Sequence, residues 1–209
     1  MCLLLSVPVA GCSATSSVQH SPAQLTPIDT TRLVEGSEGA VRRRLVSRLP
    51  GAGLTAVEID EDLNIVRVSL TTDQPGDYVD CGRTQRTFEG GWGGVETFDY
   101  EPATSASYKL SNFEGVALEA TREVVLDATA TVRMRPSAAM TEVSVDVSYD
   151  LRTRITYSTP GGFGSATGDP ETVTQDINFQ TARPGIGNQE VAYCTSNGRL
   201  EARLLELAT

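Results

Sequence analysis

Residues 124–157 read VVLDATATVRMRPSAAMTEVSVDVSYDLRTRITY, with apolar side chains at alternate positions on both sides of a short polar link. Such alternation places one set of side chains against a core and the other set in water, as in a half-buried β-strand. Two alternating runs joined by a short link are typical of an antiparallel hairpin. The sequence therefore predicts a long hairpin over about 120–135 and 141–158, at the centre of an antiparallel sheet.

The position of the link also predicts the register of this hairpin. A turn centred near Ala138 pairs Met134 with Val143 on the core face and sets Glu123 opposite Arg154 on the outer face. A slip by an odd number of residues would place apolar side chains opposite polar ones, so the pattern favours this register strongly.

Two helices are expected to cover one face of the sheet. The segment 32–49 contains the first helix, which Ser37 can cap. The apolar stripe of this helix consists of Val41, Leu45 and Leu49. The last residues of the chain carry a second stripe, of Leu200, Leu204 and Leu207. Together with a strand pair over 54–59 and 65–70, these elements predict one α+β domain over residues 29–209, with both helices on one face of a mostly antiparallel sheet.

The first twelve residues, MCLLLSVPVAGC, form a short apolar run that ends in small residues directly before a cysteine. The segment Val9-Ala10-Gly11-Cys12 resembles the lipobox of bacterial lipoproteins, in which a peptidase cuts before the cysteine and the cysteine thiol carries lipid. The resemblance implies a signal peptide over 1–11 and lipid on Cys12. Because Ser13 rather than Asp follows the cysteine, it also implies outer-membrane delivery in the enterobacterial sorting scheme.

The apolar run departs from a complete signal peptide, because no Lys or Arg precedes it. A start codon upstream of Met1 would account for this, and the alternative interpretation is a buried N-terminal strand that contains a cysteine by chance. A spanning helix is excluded, since the run is much shorter than the ~20 apolar residues that cross a bilayer.

Residues 12–28 are interpreted as the lipidated cysteine and a flexible tether. Small, polar and proline residues dominate this segment, and its first charged side chain is Asp29, just beyond it. His20, the one histidine of the chain, lies in the tether, so we expect no histidine in the folded domain.

The negative net charge of the chain argues against two kinds of binding partner. The chain has 27 acidic and 17 basic residues, a net charge of −10, which argues against nucleic acid and against a basic membrane-binding patch. We expect contact with the membrane through the N-terminal lipid, and envelope proteins as partners.

Two cysteines, Cys81 and Cys194, remain once Cys2 is removed with the signal peptide and Cys12 is lipidated. An even number in an oxidising compartment predicts a disulfide between them, and the alternative is two separate buried thiols. Neither cysteine belongs to a CxxC pair or a Cys/His cluster, so no metal or other cofactor is expected.

Two glycine-rich loops are the candidate contact regions. Trp92 lies within Glu89-Gly90-Gly91-Trp92-Gly93-Gly94, and Phe163 lies within the loop over residues 160–168. Loops of this kind can bring the backbone close to a ligand and present an aromatic ring to it, although a surface loop with an anchoring aromatic has the same composition.

Three functions are compatible with these features. The first is a non-catalytic lipoprotein, anchored in the outer membrane and facing the periplasm, that binds or assembles envelope proteins. The second is a carrier of a small or lipidic ligand held between helices and sheet around Trp92 and Phe163. The third is a carboxylate-based hydrolase, since a domain without histidine cannot form a Ser-His-Asp site. No catalytic residue is predicted.

Overall fold

The structure is a computed structural model that describes residues 13–91, 93–160, 170–186 and 193–209. Its elements are β1 (Thr15–Ser21), β2 (Thr31–Glu35), α1 (Glu38–Arg48), β3 (Thr55–Asp60), β4 (Ile65–Thr72), β5 (Val79–Asp80), β6 (Arg83–Glu89), β7 (Val95–Tyr100), β8 (Ala106–Ser111), β9 (Ala117–Ser137), β10 (Met140–Ser158), β11 (Glu171–Gln180), β12 (Gly185–Ile186), β13 (Tyr193–Ser196) and α2 (Arg199–Ala208).

The predicted hairpin is present as β9 and β10, and its register is confirmed. Met134 lies opposite Val143 and Glu123 lies opposite Arg154 in an antiparallel ladder. Ala138, at the tip, has a positive φ of 53°, as tight hairpin turns require. The core face carries the apolar members of both strands, because the side chains of a strand alternate between its two faces.

The remaining strands of the largest sheet attach to the two long strands. Along β10, β2 pairs with the part near the tip and β11 with the part far from it. Along β9, β4 pairs with the part near the tip and β8 with its beginning. β3 pairs with β4 and is the outermost strand on that side in the described part of the chain.

The predicted α+β class is wrong. The described residues are 57% strand and 15% helix, arranged in three antiparallel sheets with two α-helices, so the protein is mostly β. The difference comes mainly from residues 83–111, which form β6, β7 and β8. These strands are rich in Thr, Ser and charged residues, so their weak hydrophobic alternation gives a poor strand signal.

Both helices pack on one face of the large sheet, as the leucine stripes predict. Side chains of α1, α2 and the sheet form one core, whose fully buried members include Leu45, Leu126, Leu151, Leu200 and Leu204. The stripe of α2 is rotated slightly from the prediction, because Leu205 and Ala208 are buried and Leu207 is only half-buried.

Part of the predicted tether is an ordered strand. Thr15–Ser21 pairs along its whole length with β6, and β6 pairs with β7 to complete a second sheet. His20 therefore belongs to the folded protein, where its Nδ1 lies 3.0 Å from Thr84 Oγ1. The polar composition that suggests a tether also suits an edge strand, which needs backbone hydrogen bonds more than apolar burial.

The disulfide between Cys81 and Cys194 is confirmed. Cys81 directly follows β5 and Cys194 lies within β13, and these two strands pair with each other. Both cysteines are buried. In the chain-entropy account, a cross-link that closes a loop of this size contributes about 4–5 kcal/mol. Among the described residues, no helix is both long and apolar enough to cross a bilayer.

We predict that Val147→Asp lowers the free energy of unfolding by about 4 kcal/mol, because Val147 is fully buried on the core face and the new carboxylate would have no partner there. Chemical denaturation of both proteins measures this change. Ser148→Asp is the matched control, since Ser148 is exposed on the outer face and the same substitution should change stability by less than about 1 kcal/mol. Equal effects at the two positions would contradict the assignment of the faces.

Candidate functional site

The three residues predicted to contact lipid, ligand or partner, Cys12, Trp92 and Phe163, lie outside the described residues. The residues that flank Trp92 form the tight turn between β6 and β7, where the Gly90 and Gly93 amides donate to Gly94 and Gly90 carbonyls. The first glycine-rich loop is therefore a hairpin connection between β6 and β7.

Glu201 is the charged residue that the structure buries most completely, with no exposed surface. Its Oε1 accepts hydrogen bonds from Tyr149 Oη at 2.9 Å and Thr181 Oγ1 at 2.7 Å. Ser196 Oγ lies 3.0 Å from both carboxylate oxygens. The cluster thus joins α2 to β10, to the residue after β11 and to β13.

Tyr149 shows the electrostatic character of this cluster. Burial, and then the neighbouring Glu201 carboxylate, raise the pKa of Tyr149 well above its usual range. Its hydroxyl therefore stays protonated and acts as a hydrogen-bond donor to Glu201. Because the cluster is closed to solvent and consists of a carboxylate with three hydroxyl groups, it can hold α2 on the sheet but offers a substrate no access.

The sequence analysis missed this cluster. Glu201 occupies the third position of a short amphipathic helix, where an acidic side chain normally lies in solvent and interacts with the helix N-terminus. The sequence carries no local pattern for this cluster, because two of its three hydroxyl groups, those of Tyr149 and Thr181, lie 52 and 20 residues from Glu201 along the chain.

Two directly opposed carboxylates lie on the outer face of the sheet. Asp127 and Asp150 face each other across β9 and β10, and Thr71 Oγ1 donates to Asp127 Oδ1 at 2.6 Å. Arg152 Nη2 lies 3.8 Å from Asp150 Oδ2. A carboxylate mechanism also requires a concave site that holds substrate, and neither aspartate lines any of the clefts described below.

Several surface clefts, of about 320 to 500 Å³, have the volume of small-ligand sites, and two of these are lined in part by the segment between β1 and β2. One, of about 460 Å³, lies beside the disulfide and is lined in part by Asp80, Arg83 and Glu101. The other, of about 400 Å³, is lined in part by Leu25 and Ile28. Neither lies between the helices and the large sheet, where the carrier hypothesis places its ligand, and side chains of the core occupy that space.

Three exposed apolar side chains lie along the outermost strand β3 and in the turn after it. They are Val57, Ile59 and Leu63, which are 57%, 44% and 66% exposed, and we call them the β3 edge surface. Ile59 lies opposite Val66, on the core face of the sheet, whereas Glu58, beside Val57 in the bulge, lies opposite Arg67 on the outer face. Acidic side chains border this surface at Glu58 and over residues 60–62, and two of them are paired, Glu58 with Arg67 and Glu61 with Arg42. A bulge between Ala56 and Glu58 interrupts the pairing of β3 with β4. Bulges and charges of this kind protect an edge strand from pairing with another strand.

The described chain begins at the other end of the sheet. The Ala14 amide donates to the Gly115 carbonyl at 2.9 Å, in the turn between β8 and β9. A Cβ atom on Gly115 would lie 2.7 Å from the Ser13 Cβ, so the two segments are in close contact. The position that follows Cys12 is therefore fixed against this turn.

The β3 edge surface and Ser13 are separated by most of the length of β9. The Met134 amide donates to the Asn64 carbonyl at 3.0 Å, which places the turn containing Leu63 beside the far part of β9. Ser13 lies beside the turn that precedes Ala117. At about 3.3 Å per residue, the two ends lie about 50 Å apart.

Comparison of the chain with protein-family models, curated proteins and solved structures finds no match. Among the residues that the structure describes, no three His, Cys, Asp or Glu side chains are grouped to hold a metal ion. The function is therefore inferred from the geometry of this chain alone.

We predict that Glu201→Ala lowers the free energy of unfolding by about 3 kcal/mol, because three buried hydroxyl groups lose their acceptor and a cavity forms. Equilibrium unfolding followed by circular dichroism measures the loss. Glu206→Ala on the exposed side of the same helix is the control and should stay within about 0.5 kcal/mol of the parent. A loss no larger at position 201 than at position 206 would show that the cluster does not hold α2.

Stability should also decrease at alkaline pH. The folded state raises the pKa of Tyr149 above its unfolded value of 10.0, so its contribution is complete below that pH and is lost as the pH rises above it. The expected loss is up to about 1.4 kcal/mol per pH unit for this one group. Comparing unfolding at pH 9 and pH 11 in the parent and in Tyr149→Phe tests this, and the variant should lose less stability. An equal loss in both proteins would assign the effect to other groups.

Proposed function

We propose that this protein is a non-catalytic, lipid-anchored protein of the bacterial envelope that binds a partner protein through the β3 edge surface. The observation that carries the proposal is the set of three exposed apolar side chains along the β3 edge, Val57, Ile59 and Leu63, about 50 Å from the start of the described chain. Several exposed apolar side chains along one strand edge, with polar residues around them, suit a protein contact.

The geometry of β3 also defines the chemistry of the partner. The bulge at Val57 disfavours the addition of another strand, so the partner binds the side chains of this surface rather than its backbone. Glu58 and the acidic residues at 60–62 border the apolar side chains. Since Glu58 and Glu61 are paired with Arg67 and Arg42, a complementary partner presents an apolar centre with basic side chains opposite Asp60 and Asp62.

Anchoring through Cys12 is supported by the lipobox resemblance and by the position of Ser13 at one end of the molecule. With the lipid at this end, the β3 edge surface points away from the bilayer and remains accessible in the periplasm. We place the protein at the outer membrane, facing the periplasm.

The alternative function is that of a carrier for a small ligand. The cleft of about 400 Å³ lined by Leu25 and Ile28 favours it, because its volume suits a small molecule. Leu25 is as exposed as Leu63, at 66%, so the two leucines form a matched pair for distinguishing the two functions.

Photo-crosslinking in the cells that make the protein tests the proposal. A benzophenone amino acid at position 63 should give one discrete adduct with an envelope protein, whereas the same group at position 25 should give none. Ile59→Ser should reduce the position-63 adduct about tenfold, because the loss of one apolar contact is worth about 1.4 kcal/mol. Ile59 is 44% exposed, so the substitution should leave the fold intact, as circular dichroism would show.

Two results would contradict the proposed function. One is the absence of a protein adduct at position 63 in cells where the protein is correctly localised. The other is a small-molecule adduct at position 25 that Leu63→Ser leaves unchanged, which would establish the carrier function instead.

A further inference from the structure

Phe113 is the most exposed large apolar side chain among the described residues, at 97%. It lies in the turn between β8 and β9, and this turn is firmly held. The Glu114 and Val116 amides both donate to Asn112 Oδ1, at 3.0 and 2.9 Å, and the Gly115 amide donates to the Asn112 carbonyl. Because backbone amides of the turn are hydrogen-bonded within the turn itself, the exposed Phe113 side chain projects from an ordered backbone.

Other apolar side chains are exposed at the same end of the molecule. Val116, in the same turn, is 43% exposed, and Val95 at the start of β7 is 65% exposed. Val95 pairs with Glu89, which in turn pairs with Thr15 at the start of β1. We call Val95, Phe113 and Val116 the anchor-end surface, because Ser13 contacts the turn that carries two of them.

The contact between the chain start and this turn is close enough to fix their relative positions. Gly115 has a φ of +76°, and a Cβ atom there would lie 2.7 Å from the Ser13 Cβ. The Ser111 amide, one residue before the turn, lies 3.2 Å from Ser16 Oγ. Ser13, the residue that follows Cys12 in the sequence, is therefore held directly against the turn.

We propose that the anchor-end surface is a second membrane contact, in which Phe113 inserts into the interface of the bilayer that holds the Cys12 lipid. This inference rests on the proposed lipid anchor. A lipid on Cys12 brings the turn to the bilayer surface, where burial of an exposed phenyl ring in the boundary between headgroups and acyl chains is favourable.

The charges at this end define which lipids suit the contact. Glu89 and Glu114 lie there, and the Lys109 ammonium is paired with Glu96 at 2.7 Å. Carboxylates near the surface are repelled by anionic headgroups, so apolar burial drives the contact and zwitterionic lipids suffice. The contact should accordingly persist at high salt, which screens charge but leaves apolar burial intact.

The test places a fluorescent reporter beside Phe113 in the full-length, lipidated protein. Val116→Cys provides the site for an environment-sensitive dye, since Cys81 and Cys194 are bonded to each other and do not react. The protein is reconstituted into phosphatidylcholine vesicles that contain lipids with a quencher at the acyl chain. The reporter is measured with Phe113 present and with Phe113→Ser, and the same dye at position 63 is the control far from the anchor.

The expected result is quenching at position 116 and none at position 63, with a bilayer-contacting population about tenfold smaller in Phe113→Ser. Equal quenching with and without Phe113, or a water-exposed dye at position 116 in lipidated protein, would overturn the inference while leaving the anchor in place. An intact-mass measurement separates the two claims: an unmodified Cys12 thiol would overturn the lipid anchor and the membrane contact together.

Discussion

The in-register pairing of β9 with β10 is the constraint on which the rest of the molecule depends. It runs from Ser137 opposite Met140 at the tip to Glu119 opposite Ser158. Each of the two strands pairs with two shorter strands along its outer edge. Both helices cover the apolar face of the hairpin. A slip of one residue would turn the apolar side chains of a strand to the solvent face, so core, helix docking and edge strands all follow from this one register.

Features with a strong local signal were predictable from the sequence. The alternation of 124–157 predicted the hairpin and its register, and the even number of cysteines left after the first twelve residues predicted the disulfide. The misses have physical causes. β1 is held by backbone pairing rather than by apolar burial, so its composition resembles a tether. Glu201 is buried because hydroxyl groups from distant segments surround it, and no local sequence pattern predicts that these segments come together.

The candidate surfaces were harder to predict than the fold, because exposure is a property of the whole structure. A sequence cannot show that Phe113 is left outside the core while Phe179, in a similar local pattern, is packed on Tyr149. Nor does it show that residues 13–14 lie beside one end of β9 and Leu63 beside the other. The two proposals assign different roles to the two ends of the hairpin, with lipid contact at one end and partner binding at the other.

The distance of the β3 edge surface from the bilayer tests this division most directly. Energy transfer from a donor dye at Leu63 to acceptor lipids measures that distance in vesicles that carry the lipidated protein. Upright attachment predicts a donor more than about 40 Å from the acceptor layer, since about 50 Å of β9 separates the two ends. A donor within about 20 Å of the acceptor lipids would mean that the hairpin lies along the membrane, and would contradict the account.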